Sequence, residues 1–231
     1  MAEFYSFGLA RDTLNRRFGG GFPQGAIVLM TGEKGSGKSV MCQRITYGLL
    51  TNGYAVTYIS TELTTEDFIS QMRSMDFDII DYLLDLKFWY IPVYPLVGIT
   101  KPRKGFWDKL LSSRQLFDRQ ITIIDTFSAL TKADLDERKS LETLSFLKKL
   151  CGMDKTIILT MEESDVGAEV MGAFKSVADV YLALESRVAG DALTHRLVVH
   201  RYGGMERRVL NVMDFRVEPK MGPVVQITEV V

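Results

Sequence analysis

Two cysteines and two histidines in 231 residues leave little material for several kinds of protein. Cys42 and Cys151 lack the number and spacing of a disulfide framework or a zinc site. Each falls in a segment that reads as helical, so both are expected as free thiols in a reducing cytoplasm. His195 and His200 are too few for a metal site, and no Ser-His-Asp constellation can be built around them. Charge of one sign is missing as well. The formal net charge is -1 and the pI is near 6.2, which gives no long-range pull toward nucleic acid or an anionic membrane. Long apolar runs are also absent: the uncharged stretch at residues 88–100 is too short for a bilayer span and contains Pro92, Pro95 and Gly98. The N-terminal Met1-Ala2-Glu3-Phe4-Tyr5 has neither the basic nor the apolar region of a secretory signal. A soluble, cytoplasmic chain is expected.

What is present reads as one α/β unit. The hydrophobic fraction of 46% is enough for a single sizeable core, and no repeat, linker or low-complexity tract divides residues 1–231. Five short, nearly continuous apolar runs, at residues 26–31, 54–60, 121–126, 156–161 and 177–184, read as buried parallel strands. Helical segments alternate with them: residues 38–51, a helix beginning at Thr64 with Asp67 as a capping-box variant, and residues 141–151 beginning at Ser140 and ending at Gly152. That alternation predicts a mainly parallel, doubly wound sheet. From His195 onward the pattern alternates, in residues 196–200 and 207–212 around Gly203-Gly204, and predicts an antiparallel hairpin at the sheet edge.

The chemistry begins where the first apolar run ends. Gly32, Glu33, Lys34, Gly35, Ser36, Gly37, Lys38 and Ser39 match the pattern Gly-x-x-x-x-Gly-Lys-[Ser/Thr] between a strand and a helix. A chain of this length meets that pattern by chance about once in a hundred. Each element has a physical cause: glycines let successive amides face phosphate oxygens, and the helix start presents its positive end to the same anion. Lys38 reaches the β- and γ-phosphates of ATP, and the Ser39 hydroxyl is expected to hold Mg2+. Asp125, ending the run Ile121-Thr122-Ile123-Ile124, is the second expected Mg2+ partner, with a simple helix cap as the bland reading. Glu62 after Tyr58-Ile59-Ser60-Thr61 suits a water-activating base, and suits equally a carboxylate favoured in the first turn of a helix.

With these pieces the chain resembles the superfamily of KaiC and RecA ATPases over nearly its whole length. Gly19-Gly20-Gly21-Phe22-Pro23-Gln24-Gly25 resembles its Gly-Gly-x-Pro-x-Gly approach, Thr61-Glu62 its catalytic-glutamate position, and Thr160 with Glu162 its fourth-strand ending. Within it, Ile59-Ser60-Thr61-Glu62-Leu63-Thr64 looks most like the accessory ATPases of the archaeal flagellum, the archaellum. The resemblance implies a RecA-like fold, ATP and Mg2+ as ligands, and a hexameric ring beneath the membrane platform in contact with the motor ATPase. It implies a regulatory and assembly role with slow or conditional hydrolysis, and autophosphorylation as an accompanying activity. Two departures matter: one carboxylate stands where the clock proteins carry an adjacent pair, and His200-Arg201-Tyr202-Gly203 replaces their Lys-x-Arg-Gly segment. Arg201 is left either as a residue acting on a neighbour's nucleotide or as an exposed hairpin charge.

Other functions fare less well. A fast ring ATPase acting in signalling or DNA recombination is the main alternative, but the loop carrying Glu162, Glu163, Asp165 and Glu169 would repel a phosphate backbone. The run Lys101-Pro102-Arg103-Lys104 beside Phe106 and Trp107 reads as a solvated loop ahead of a nucleic-acid patch. No arginine-rich lid marks a small-molecule kinase. Residues 88–95 read as core packing first and as a docking surface second.

Overall fold

The structure is a computed structural model that describes residues 3–93, 106–132, 135–189, 192–205 and 207–226. The chain opens with strand β1 (Phe4–Tyr5) and a helical turn α1 (Leu14–Arg17), and β2 (Phe22–Pro23) returns to pair antiparallel with β1. Next come β3 (Ile27–Gly32), α2 (Lys38–Thr51), β4 (Val56–Ser60), α3 (Thr65–Ser74), α4 (Ile80–Leu84) and β5 (Phe88–Pro92). These are followed by α5 (Phe106–Ser112), β6 (Ile121–Asp125), α6 (Phe127–Thr131), α7 (Glu137–Cys151), β7 (Thr156–Met161) and α8 (Ala168–Val177). The last elements are β8 (Val180–Ala189), β9 (Ala192–Tyr202), β10 (Val212–Glu218) and β11 (Gly222–Val225).

Among the described residues nine strands form one sheet in the order β11-β10-β9-β8-β3-β7-β6-β4-β5. From β8 to β5 every neighbouring pair is parallel, and β8 through β11 extend the sheet antiparallel. The central strands are apolar on both faces because both faces are covered. Val28 and Met30 of β3 point into one core with Met41, Ile45 and Leu49 of α2, while Ile27 and Leu29 point into the other with Leu144, Leu147 and Phe174 of α7 and α8. Doubly wound packing follows from that alternation. The carboxyl ends of β3, β4, β6 and β7 therefore share one edge, where ligands of open α/β sheets bind.

The five parallel strands expected from sequence are all present, residues 156–161 with the expected bounds and the other four with shifted ends. Val177 closes α8 and the strand starts at Val180; Thr126 leaves the strand at φ 63 as the residue preceding α6. Thr64 caps α3 as expected, its hydroxyl accepting from the Asp67 amide and donating to that residue's carboxylate. Ser140 does not begin its helix: Asp136 caps α7 by accepting from the Lys139 amide, and Ser140 lies buried one turn in, donating to the Glu137 carbonyl. The tail differs most. Residues 207–211 are loop, the strand is Val212–Glu218, and β11 follows it. Residues 88–92 form the edge strand β5, with Phe88 buried, as core packing requires; Tyr94, Pro95 and the basic run 101–104 lie outside the described residues.

Candidate functional site

Strand β3 delivers the chain into the glycine-rich turn, and α2 starts at Lys38. A Cβ on Gly32 would stand 2.3 Å from the Leu184 carbonyl oxygen and 2.6 Å from Ser36 Oγ, so only glycine lets the turn pass under β8. Gly37, at φ 93, is the residue from which α2 departs. The first turn of α2 carries no acidic residue and no side-chain cap, so its positive end is left uncompensated. Lys38 is nearly buried and folds back, its Nζ donating to the carbonyls of Gly32 at 2.7 Å and Glu33 at 2.8 Å. Burial pulls the Lys38 pKa below its ordinary value, opposed by the carboxylates of Glu162, Asp125 and Glu62.

An open cleft of about 380 Å3 lies against this turn. Lys34, Gly35, Gly37, Lys38 and Ser39 form one wall, while Gly32, Glu33 and Ser36 of the same turn do not line it. The ends of β6 and β7 contribute Thr126, Met161 and Glu162, and Glu62 stands on the rim. Burial, then the charge of Asp125, push the Glu62 carboxyl above the usual range, while Lys34 and Lys38 pull it back. Asp125 lies just beneath the cleft, 3% exposed. Its Oδ2 accepts from the Tyr58 hydroxyl and its Oδ1 from the Thr160 hydroxyl, both at 2.8 Å. Thr160 in turn accepts from the Thr126 amide, which ties the end of β6 to the end of β7. The structure thus brings Lys38, Ser39, Asp125 and Glu62 to one place.

No group of three or more His, Cys, Asp or Glu able to cage a metal ion occurs among the described residues. Magnesium does not need one, because it keeps waters and takes one or two protein oxygens beside those of phosphates. Ser39 on the cleft wall and Asp125, whose hydrogen-bond partners are neutral hydroxyls, fit that requirement.

The opposite wall was not legible in the sequence. Leu193 and His195 of β9 and Val217 of β10 line it. Ser186, His195 and Phe215 form one row across β8, β9 and β10, and that row clasps the turn. Ser186 Oγ donates to the Gly35 carbonyl at 2.9 Å, and His195, stacked on Phe215 with ring centres 5.1 Å apart, packs with it against Gly37. Burial lowers the His195 pKa, and its Nδ1 is buried without a hydrogen-bond partner. Period-two alternation hints that residues 193 and 195 share a face, but only the register brings that face over the turn.

Two groups of charges have partners within the chain that the sequence does not announce. Arg201 is exposed yet engaged, its Nη1 donating to the carbonyls of Lys175, Ser176 and Ala178 at the C-terminal end of α8. The acidic loop is partly neutralised within the chain, by Lys175 on Glu163 at 2.7 Å and Lys132 on Asp165 at 2.8 Å.

The family model of KaiC-type ATPases matches residues 12–222. The archaeal flagellar ATP-binding protein FlaH of Methanocaldococcus jannaschii is 36% identical over 230 residues, covering 100% of this chain and 99% of that protein. FlaH of Methanococcus voltae is 34% identical over 222 residues, 96% of each. The crystal structure of M. jannaschii FlaH superposes with a TM-score of 0.93 over 98% of this chain and 100% of that one. A KaiC-like protein from Pyrococcus horikoshii, 20% identical, shares the fold at a TM-score of 0.74 over 98% and 100%. With full-length identity to FlaH, a KaiC-type model across most of its residues and the expected RecA-like sheet, the chain belongs to the FlaH family of archaeal flagellar ATP-binding proteins, within the KaiC-type ATPases.

Proposed function

We propose that this chain is an ATP-gated regulatory and assembly subunit of the archaellum motor, with turnover slow or conditional. The observation that carries the reading is the cleft at the end of β3, where an uncapped helix start, Lys38 and Ser39 face one open volume. Residues 32–39 cradle the phosphates through backbone amides, with Lys38 leaving the Gly32 and Glu33 carbonyls for phosphate oxygens. Ser39 and Asp125 hold Mg2+, which when bound screens the negative charge between the phosphates. Leu193 and Val217 offer the apolar rim against which the rest of the nucleotide rests. Glu62 on the rim accepts a proton from the attacking water.

The gating follows from the clasp. A phosphate seated in the turn bears directly on Ser186, His195 and Phe215, and so on the antiparallel half of the sheet. In this reading ATP orders a hexameric ring in the cytoplasm, under the membrane platform and against the motor ATPase. Among the described residues no helix is long and apolar enough to cross a membrane. The alternative is a fast ring ATPase, favoured by the raised pKa of Glu62 and its place at the cleft mouth.

Particle size and turnover measured with ATP, ADP and no nucleotide separate the two. Size that follows the nucleotide supports gating; rapid turnover with size indifferent to nucleotide overturns it. Glu62→Gln should keep ATP affinity and lower whatever turnover exists by about 100- to 10,000-fold. Equal turnover in the variant removes Glu62 from the chemistry. Because Glu62 acts deprotonated and its pKa is raised, wild-type turnover should fall as pH drops through a midpoint above the ordinary carboxylate range.

A further inference from the structure

Tyr58 and Tyr90 occupy the same rung of the parallel β4–β5 pair, with rings 6.0 Å apart. Phe68 of α3 stacks on Tyr90 at 4.1 Å and lies 5.0 Å from Tyr58. Both tyrosines pack on Phe68, Tyr58 fully buried and Tyr90 partly, and their hydroxyls go to different places. Tyr90 donates to the Leu63 carbonyl at 2.8 Å, in the turn after β4. Tyr58 is fully buried, and its hydroxyl donates to Asp125 Oδ2.

Phe68 beside Tyr58 and Phe88 beyond it fill the same layer without a hydroxyl, so packing alone gives no reason for one there. A buried hydroxyl needs an acceptor, and this one has a carboxylate. Together with Thr160 on Oδ1, it gives each carboxylate oxygen one donor. Such a carboxylate cannot rotate without breaking a bond, and its remaining lone pairs keep fixed directions. Groups that orient a metal ligand in this way usually change metal affinity 10- to 100-fold when removed.

We propose that Tyr58 is a positioning residue for magnesium: its hydroxyl fixes the Asp125 carboxylate, and through it the Mg2+ affinity of the nucleotide complex, without touching the nucleotide. This rests on the reading of Asp125 as the Mg2+ partner. The experiment is a titration of ATP binding against Mg2+, with a chelated arm, on the full chain, together with thermal unfolding of each variant. Tyr58→Phe keeps the ring and should raise the Mg2+ midpoint about 10-fold, with ATP affinity in chelator unchanged. Tyr90→Phe removes a hydroxyl from the same rung and should keep the wild-type midpoint. Asp125→Asn should abolish the Mg2+ effect. If Asp125→Asn retains the wild-type Mg2+ dependence, the reading of Asp125 fails and the proposal with it. If it loses that dependence while Tyr58→Phe keeps the wild-type midpoint, the proposal alone is overturned, even if Tyr58→Phe unfolds at a lower temperature.

Discussion

Asp12→Ala is expected to destabilise the fold by about 3–5 kcal/mol, the cost of removing one partner from a buried ion pair. Arg44 sits in the middle of α2 at 0% exposure, a large charge in a helix otherwise packed against apolar side chains. Asp12 answers it with both oxygens, at 2.6 Å to Nε and 2.7 Å to Nη2, and the Phe7 carbonyl takes Nη1 at 3.0 Å. Without Asp12 the guanidinium keeps one protein acceptor and no counter-charge. The double variant Asp12→Ala with Arg44→Leu should recover much of the loss, because it removes the stranded charge as well. Denaturant unfolding of the wild type, the single and the double variant checks this. A single-variant loss below about 1 kcal/mol, the value of an exposed pair, would show that Arg44 finds water instead. The pair also fastens the N-terminal segment to the helix that carries Lys38 and Ser39. ATP affinity should therefore fall in Asp12→Ala and stay low in the double variant, which regains stability but not the fastening.

That pair shows where sequence reading stops. Asp12 and Arg44 lie far apart in the chain, and nothing local in either segment announces the other. Residues 32–39 were legible because their requirement is local: a strand end, glycines that admit unusual backbone angles, and a helix start all sit within one short window. Asp125 was legible for a related reason, since a strand end in a parallel sheet fixes which edge a residue occupies. The wall formed by Leu193, His195 and Val217 depends instead on how β9 and β10 pair. Reading β10 several residues too early hid that register. Charges proved hardest to read. Arg201, left open between a neighbour's nucleotide and an exposed hairpin position, caps α8, and Glu163 and Asp165 of the acidic loop are paired within the chain. In each case the partner comes from another element, so only the fold could supply it.

Lys38→Ala should weaken ATP binding by roughly 100- to 10,000-fold, from two charge-assisted hydrogen bonds of about 1.5–3 kcal/mol each. The structure adds a condition to that arithmetic. Lys38 is already bonded to the Gly32 and Glu33 carbonyls, so phosphate must compete with the turn's own backbone for the ammonium. Burial sharpens the competition by disfavouring an unpaired charge, while Glu162, Asp125 and Glu62 favour it. The net loss on substitution is thus smaller than two full bonds, and the upper end of the range is reached only if the released carbonyls find other donors. Lys38→Met separates the parts: it fills the space of the stem without the charge, so a loss equal to that of alanine assigns the effect to the ammonium. ADP supplies the second comparison, because it lacks the γ-phosphate and should lose less affinity than ATP in both variants. Isothermal titration with the two nucleotides decides it. Equal losses for ATP and ADP would mean that Lys38 reads only the β-phosphate, and the proposed gate would then have no direct means of telling ATP from ADP through this lysine.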